Sequence, residues 1–320
     1  MAGPGVAGRA RCHPARLPGG AGVADAVGDG VRRRAVADRR GPRGVGPPDP
    51  VGRQEVNALL RGRGLVGLVL VGVVALAGLV GPLLVQWDPY QQIPDANLLG
   101  PSAAHPLGTD DLNRDVLARL LSGIRVDLLI SLTAVPLGAL IGCAIGALAT
   151  FTSALDVAVQ RLFDVLLAFP QLILAVGLAA VIGPGTTSVV IVVVAVEIPI
   201  FGRLLRSAVL RVREAQFVTA SEVIGGGRGH VLRTHVLPNS LEPVVVQLAL
   251  SMSVAVFIEG AMSVLGIGVS PPDPSLGAVL TTSLRYLDLN PLFALSPLAV
   301  TALLVLGFQL IAQAANAARG

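Results

Sequence analysis

Lysine is absent from all 320 residues, and the 24 basic side chains are arginines. That absence excludes a Walker A loop, whose lysine holds the β- and γ-phosphates, and it excludes Schiff-base chemistry, which needs an amine. Any ATP used on this chain's behalf is hydrolysed by another chain. Cysteine is scarce too: Cys12 lies in a polar tail and Cys143 in an apolar run, so neither a disulfide framework nor a CxxC metal site is expected. The four histidines (His13, His105, His230, His235) are scattered, without an HExxH. Aromatic residues make up 3%, too few for a platform that stacks single-stranded bases. Charge is short as well, at 14% of residues, where a soluble domain carries about a quarter. Hydrophobic residues fill the gap, at 53% of the chain with a mean hydropathy of +0.73. Such a chain cannot clothe a water-facing surface, so its solvent is mostly lipid. A pI near 10.0 then reads as arginine biased to one side of a membrane, with no nucleic-acid partner.

Residues 1–53 differ from the rest. The first 50 hold 11 Gly, 7 Pro and nine Arg, without apolar periodicity, and are expected to be a disordered tail. The arginine groups at 32–34 and 39–40 stand too far before the first apolar run for a twin-arginine signal. About 20 apolar residues cross about 30 Å of hydrocarbon, and six runs meet that length: 65–85, 128–149, 162–182, 187–205, 244–265 and 292–312. Trp87 and Tyr90 follow the first at headgroup level. Pro170 interrupts the third; Glu197 and Pro199 lie in the fourth. The expectation is an all-α integral membrane protein with six transmembrane helices. Arg203, Arg206, Arg211, Arg213, Arg228 and Arg233 crowd the connection between spans four and five, and aspartates crowd the loops on the other side. Arginine excess puts that connection and both termini in the cytoplasm.

Two stretches outside the bilayer carry helical patterns. From Asp110, Leu112, Val116, Leu120 and Ile124 recur at four-residue spacing, which predicts an amphipathic helix at the outer interface, capped by Thr109 or Asp110. In the cytoplasmic connection Phe217, Ala220 and Ile224 share one helical face, Gly225-Gly226-Gly227 break it, and a second short helix runs to Pro238. Those apolar faces either pack on the ends of their own spans or dock into a partner's groove.

The second stretch carries a resemblance. Residues 217–239, FVTASEVIGGGRGHVLRTHVLPN, resemble the EAA loop of permease subunits of ATP-binding-cassette importers. Residues 105–125 (HPLGTDDLNRDVLARLLSGIR), 161–170 (RLFDVLLAFP) and 259–277 (with LGIGVSPPDPSLG) are similar to the dipeptide/oligopeptide/nickel branch of that family. The likeness covers residues 54–320. It implies a MetI-like permease fold: a first span, outer loop and amphipathic helix over 54–124, then a five-helix core over 125–320 with its coupling loop at 206–240. It also implies a bacterial inner-membrane location, a second homologous permease as heterodimer partner, two ATPase subunits, and an extracytoplasmic solute-binding protein. No cofactor, metal or catalytic residue is implied. The coupling positions it marks are Thr219, Ala220, Ser221, Gly225, His235, Leu237, Pro238 and Asn239. The family's acidic triplet start is Thr219 here, and Leu276 stands where the family usually has Trp.

Charge inside a bilayer costs about 2.5–3.5 kcal/mol per group on insertion scales, which marks intramembrane carboxylates as candidates for function. Glu197 and Glu259, with Gln247 and Ser251, either line the solute path or pair structurally between helices. Asp164 reads as a structural charge, and His235, with no second ligand near it, as a packing residue. A proton-coupled secondary transporter working through Glu197 or Glu259, and a membrane scaffold, are the alternatives. The sequence shows no internal repeat of the kind many secondary transporters have.

Overall fold

Hydrocarbon offers a backbone no hydrogen-bond partners, so a chain this apolar must close its N–H and C=O groups within helices. The computed structural model describes residues 62–317 except 224 and 226, and among these the regular structure is helical. The expected tail lies outside the described residues. Helix α1 (Arg63–Leu84) leads through a looped segment to α2 (Val116–Ala149), followed by α3 (Ser153–Ala168), α4 (Gln171–Ile182) and α5 (Thr186–Arg213). A hairpin then holds α6 (Gln216–Val223), α7 (Arg228–Val231), a π-turn (Leu232–Val236) and α8 (Leu237–Ser240). Helices α9 (Glu242–Val264), α10 (Leu276–Ser283) and α11 (Pro291–Ala317) complete the described chain.

Five of these helices, α1, α2, α5, α9 and α11, are long and apolar enough to cross a membrane. The sixth candidate is the pair α3–α4, bent by 93° at its break. The span expected over 162–182 with Pro170 inside it is this bent pair. Pro170 supplies no N–H and drives Phe169 to an extended ψ of 130°, which ends α3. Thr152 starts it, accepting from the Leu155 N–H at 3.3 Å.

The outer amphipathic helix and the second span prove to be one helix of 34 residues. Its cap is Asp115, which accepts from the Ala118 N–H at 2.8 Å, and not Thr109 or Asp110. Asp110 is already committed to a turn: its carboxylate accepts the N–H groups of Leu112 (2.9 Å) and Arg114 (2.8 Å) and pairs with the Arg114 guanidinium at 2.7 Å. Helix α10 was not expected. Ser275 caps it through the Ala278 N–H at 3.0 Å.

Helix α2 is central. Gly138, Gly142 and Gly146 recur every four residues along it and let α5 approach to backbone contact. A Cβ at Gly138 would lie 2.7 Å from that of Glu197, and one at Gly146 would strike the Gly202 carbonyl. Val135 and Ala139 of α2, Val193 and Phe201 of α5, and Ala255, Ile258 and Met262 of α9 form the main core. A second cluster joins Val74 of α1, Ile124 of α2, and Leu304 and Phe308 of α11, and Leu276 fills a place in it. Leu65, Val69, Val73, Leu76 and Leu83 of α1 face outward, as lipid contact requires. The ends of α2 and α5 meet the hairpin, as shown below. The 85–115 segment and α10 meet at the opposite end, where Asn290 donates to the Leu107 carbonyl at 2.9 Å.

Candidate functional site

The hairpin has two faces. Val218, Val231, Leu232 and Val236 are buried and belong to the main core of the bundle. Phe217, Thr219, Ala220, Val223, Gly225, Pro238 and Asn239 are exposed, while Ser221, His235 and Leu237 are half-buried. Phe217 and Ala220 of the expected apolar face both point away from the bundle, Ile224 lies outside the described residues, and Val218 goes inward. The helix broken at glycine is present, with Gly225 at a φ of +92°, a left-handed conformation that favours glycine.

Pro238 does not stop the second helix. It lies in the first turn of α8, where its missing N–H costs least. The preceding turn widens so that the Leu237 N–H reaches back five residues to the Leu232 carbonyl. The amide of Asn239 donates to the His235 carbonyl at 2.6 Å, and the Ser240 hydroxyl to the Val236 carbonyl at 2.7 Å. His235 has a neighbour that spacing alone concealed: the His230 ring stands edge-on to it at 6.3 Å.

At the root of the hairpin, Arg213 donates to the main-chain carbonyl of Thr150 at 3.0 Å and to its hydroxyl at 3.1 Å. One turn-pair higher, Arg206 grips Asp156, with Nη2 to Oδ2 at 2.6 Å, and Arg203 pairs with Asp164. These pairs tie α3 to α5, so Asp164 holds two helices together.

A polar line leads inward from the same region. Gln160, Asp164, Arg203, Arg206, Ser207 and Gln247 line a cavity of about 590 Å³. The Gln247 amide donates to the Ser251 hydroxyl at 3.2 Å, and that hydroxyl donates to Glu197 at 2.7 Å. Glu197 itself is 0% exposed. Three of the four expected path residues therefore form one chain, whose cavity end is Gln247. Glu259 is elsewhere. It lies toward α10, accepting from Ser263 at 2.8 Å, with Gly277 against its second oxygen. The carboxylate of Asp127 lies against it. Asp127, a buried carboxylate, lies just before the apolar run 128–149, and the sequence reading did not single it out.

The opposite end is pinned by polar contacts. His105 Nδ1 meets Asp115 at 2.9 Å, and Trp87 stacks on the His105 ring at 5.2 Å. The Tyr90 hydroxyl donates to Asp273 at 3.1 Å. Burial, and next the bond to Asp273, push the Tyr90 phenol above its ordinary value.

Comparison with known proteins decides the family. Residues 134–318 match the family described as binding-protein-dependent transport system inner membrane component. The chain belongs to that family. It is 36% identical over 248 residues to the dipeptide transport system permease protein DppC of Alkalihalophilus pseudofirmus, covering 77% of this chain and 82% of that one. It is 37% identical over 231 residues to the di/tripeptide transport system permease protein DppC of Pseudomonas aeruginosa, covering 70% and 76%. It is also 32% identical over 243 residues to the probable D,D-dipeptide transport system permease protein DdpC of Escherichia coli, covering 76% and 82%. The expected MetI-like permease of an ABC importer is thus the family found, a multi-pass component of the inner membrane.

Proposed function

We propose that this permease passes short peptides, forming the solute path with a second, homologous permease. Two ATPase subunits drive it from the cytoplasm, and an extracytoplasmic binding protein delivers the solute at the end formed by residues 85–115 and α10. The observation that carries this reading is the two-faced hairpin. One face is continuous with the bundle core, and the other leaves Phe217 48% and Val223 81% exposed beside Thr219 and Ala220. A short helix with a firm inner face and an uncovered apolar outer face suits docking into a groove on another chain.

Arginine supports the orientation. Arg203, Arg206, Arg211, Arg213 and Arg233 gather at the hairpin end, and Asp88, Asp95, Asp110, Asp111, Asp273 and Asp288 at the other. On that basis both termini are cytoplasmic, Thr219, Ala220, Ser221, Gly225, His235, Leu237, Pro238 and Asn239 form the coupling surface, and the cavity at Gln247 is an inner station of the path. Its paired charges and amides suit a zwitterionic solute. The names of the relatives favour peptides over a nickel chelate.

Reconstitution of the complete transporter in proteoliposomes tests the reading. Dipeptide uptake should require ATP and the binding protein, and should survive collapse of the proton gradient. Uptake that runs on a proton gradient without ATP contradicts it.

A further inference from the structure

The carboxyl end of an α-helix presents unsatisfied carbonyls and the negative end of its dipole. Helix α2 ends this way at Thr150. The Thr150 N–H turns back to Ala147 and Leu148, and its hydroxyl donates to Ala147 at 2.7 Å. The Thr150 carbonyl is left for another partner. Arg213 supplies one: its Nη1 meets that carbonyl at 3.0 Å and its Nη2 meets the Thr150 hydroxyl at 3.1 Å. A planar guanidinium holding two acceptors of a single residue fixes direction as well as distance. Arg213 is also the last residue of α5, and α6 begins at Gln216.

Apolar packing at this joint is incomplete. Thr150, Phe151, Val218, Val231, Leu232 and Val236 surround, with Arg213, a cavity of about 260 Å³. The guanidinium fork lies on the wall of this cavity and joins the end of α5 to the end of α2. At its other end α2 is fixed equally firmly, because its capping residue Asp115 also holds His105, on which Trp87 stacks. Its 34 residues span about 50 Å at 1.5 Å per residue.

We propose that Arg213 is a positioning residue that fastens the end of α5, where the hairpin begins, to the end of α2, so that displacement of the hairpin reaches α2 and, through it, the loop around His105. The inference rests on the transport function proposed above and names the joint through which that function passes. Rigid elements with two discrete placements are the physical basis for coupling distant sites.

The test compares wild type, Arg213→Gln, Arg213→Lys and Thr150→Val in the complete transporter, reading peptide taken up per ATP hydrolysed. Arg213→Gln loses the charged fork and should lower that ratio about tenfold, with ATP hydrolysis within about twofold of wild type. Arg213→Lys, which reaches one acceptor, should recover part of the ratio. Thr150→Val keeps the main-chain carbonyl and should lower it about threefold. A purely structural role would lower uptake and hydrolysis together and leave the ratio unchanged, which overturns the proposal. Should Arg213→Gln fail to assemble, an unchanged ratio in Thr150→Val overturns it as well. A wild-type transporter that hydrolyses ATP without taking up peptide refutes the function itself, so the two failures are told apart.

Discussion

The side-chain amide of Asn239 donates to the main-chain carbonyl of His235 at 2.6 Å, one residue beyond a proline that has no N–H to give. The amide ties the turn that holds Pro238 to the turn before it, and the helix runs through Pro238 to Ser240. Replacing Asn239 by Leu removes the donor and keeps the size. A hydrogen bond of this kind contributes about 1 kcal/mol net, so amide exchange across 232–240 should quicken about fivefold. Membrane insertion should be normal and ATP-driven uptake reduced.

Gly146 stands against the carbonyl of Gly202. Gly146→Val drives a branched side chain into backbone that cannot yield, and overpacking of this kind costs about 1–3 kcal/mol. The purified chain should melt at a lower temperature in detergent. Gly177→Val, where a Cβ meets open space, should leave the melting temperature nearly unchanged.

Glu197, Ser251 and Gln247 make one chain across α5 and α9. Glu197→Gln keeps an acceptor for the Ser251 hydroxyl and should leave uptake within about twofold of wild type, whereas Glu197→Leu strands that hydroxyl in the core at about 1–3 kcal/mol. Gln247→Leu removes an amide from the cavity wall. It should raise the KM for peptide uptake several-fold while ATP hydrolysis changes little.

Tyr90 gives a pH dependence. Its phenol is pushed upward by burial and by Asp273, so the neutral form is favoured in the folded chain. The stabilisation is complete below the ordinary tyrosine value, about 10, and is lost as pH rises through the raised one. Ultraviolet titration of tyrosinate should therefore show Tyr90 titrating late. Asp273→Asn should bring it part of the way down.

Spans were legible where an apolar run and a helix coincide, as at 65–85 and 244–265. Hydropathy adds up residues without regard to direction, so Pro170 marked the break in the third span but not its 93° bend. Likewise, periodicity drew a boundary inside α2, where the solvent changes from interface to lipid but the helix does not. The hairpin was readable as a motif, yet which of its residues face outward depends on Val218 and Val236 entering the bundle. Contacts between residues distant in the chain left no local trace. Arg213 and Thr150 lie 63 positions apart, and Glu197 and Ser251 lie 54 apart. In the same way, Gln247 could be separated from Glu259 only by seeing that the first lines a cavity and the second is buried toward α10.

Whether the exposed face of the hairpin meets an ATPase can be read by site-directed crosslinking in the assembled transporter, with Cys12 and Cys143 replaced by serine. Cysteines introduced one at a time at Thr219, Ala220 and Val218 carry a short photoactivatable crosslinker. Thr219→Cys and Ala220→Cys should join the permease to an ATPase subunit, and Val218→Cys, which is buried in the bundle, should not. Absence of the ATPase adduct at both exposed positions, in a transporter that hydrolyses ATP and takes up peptide, contradicts coupling through this hairpin.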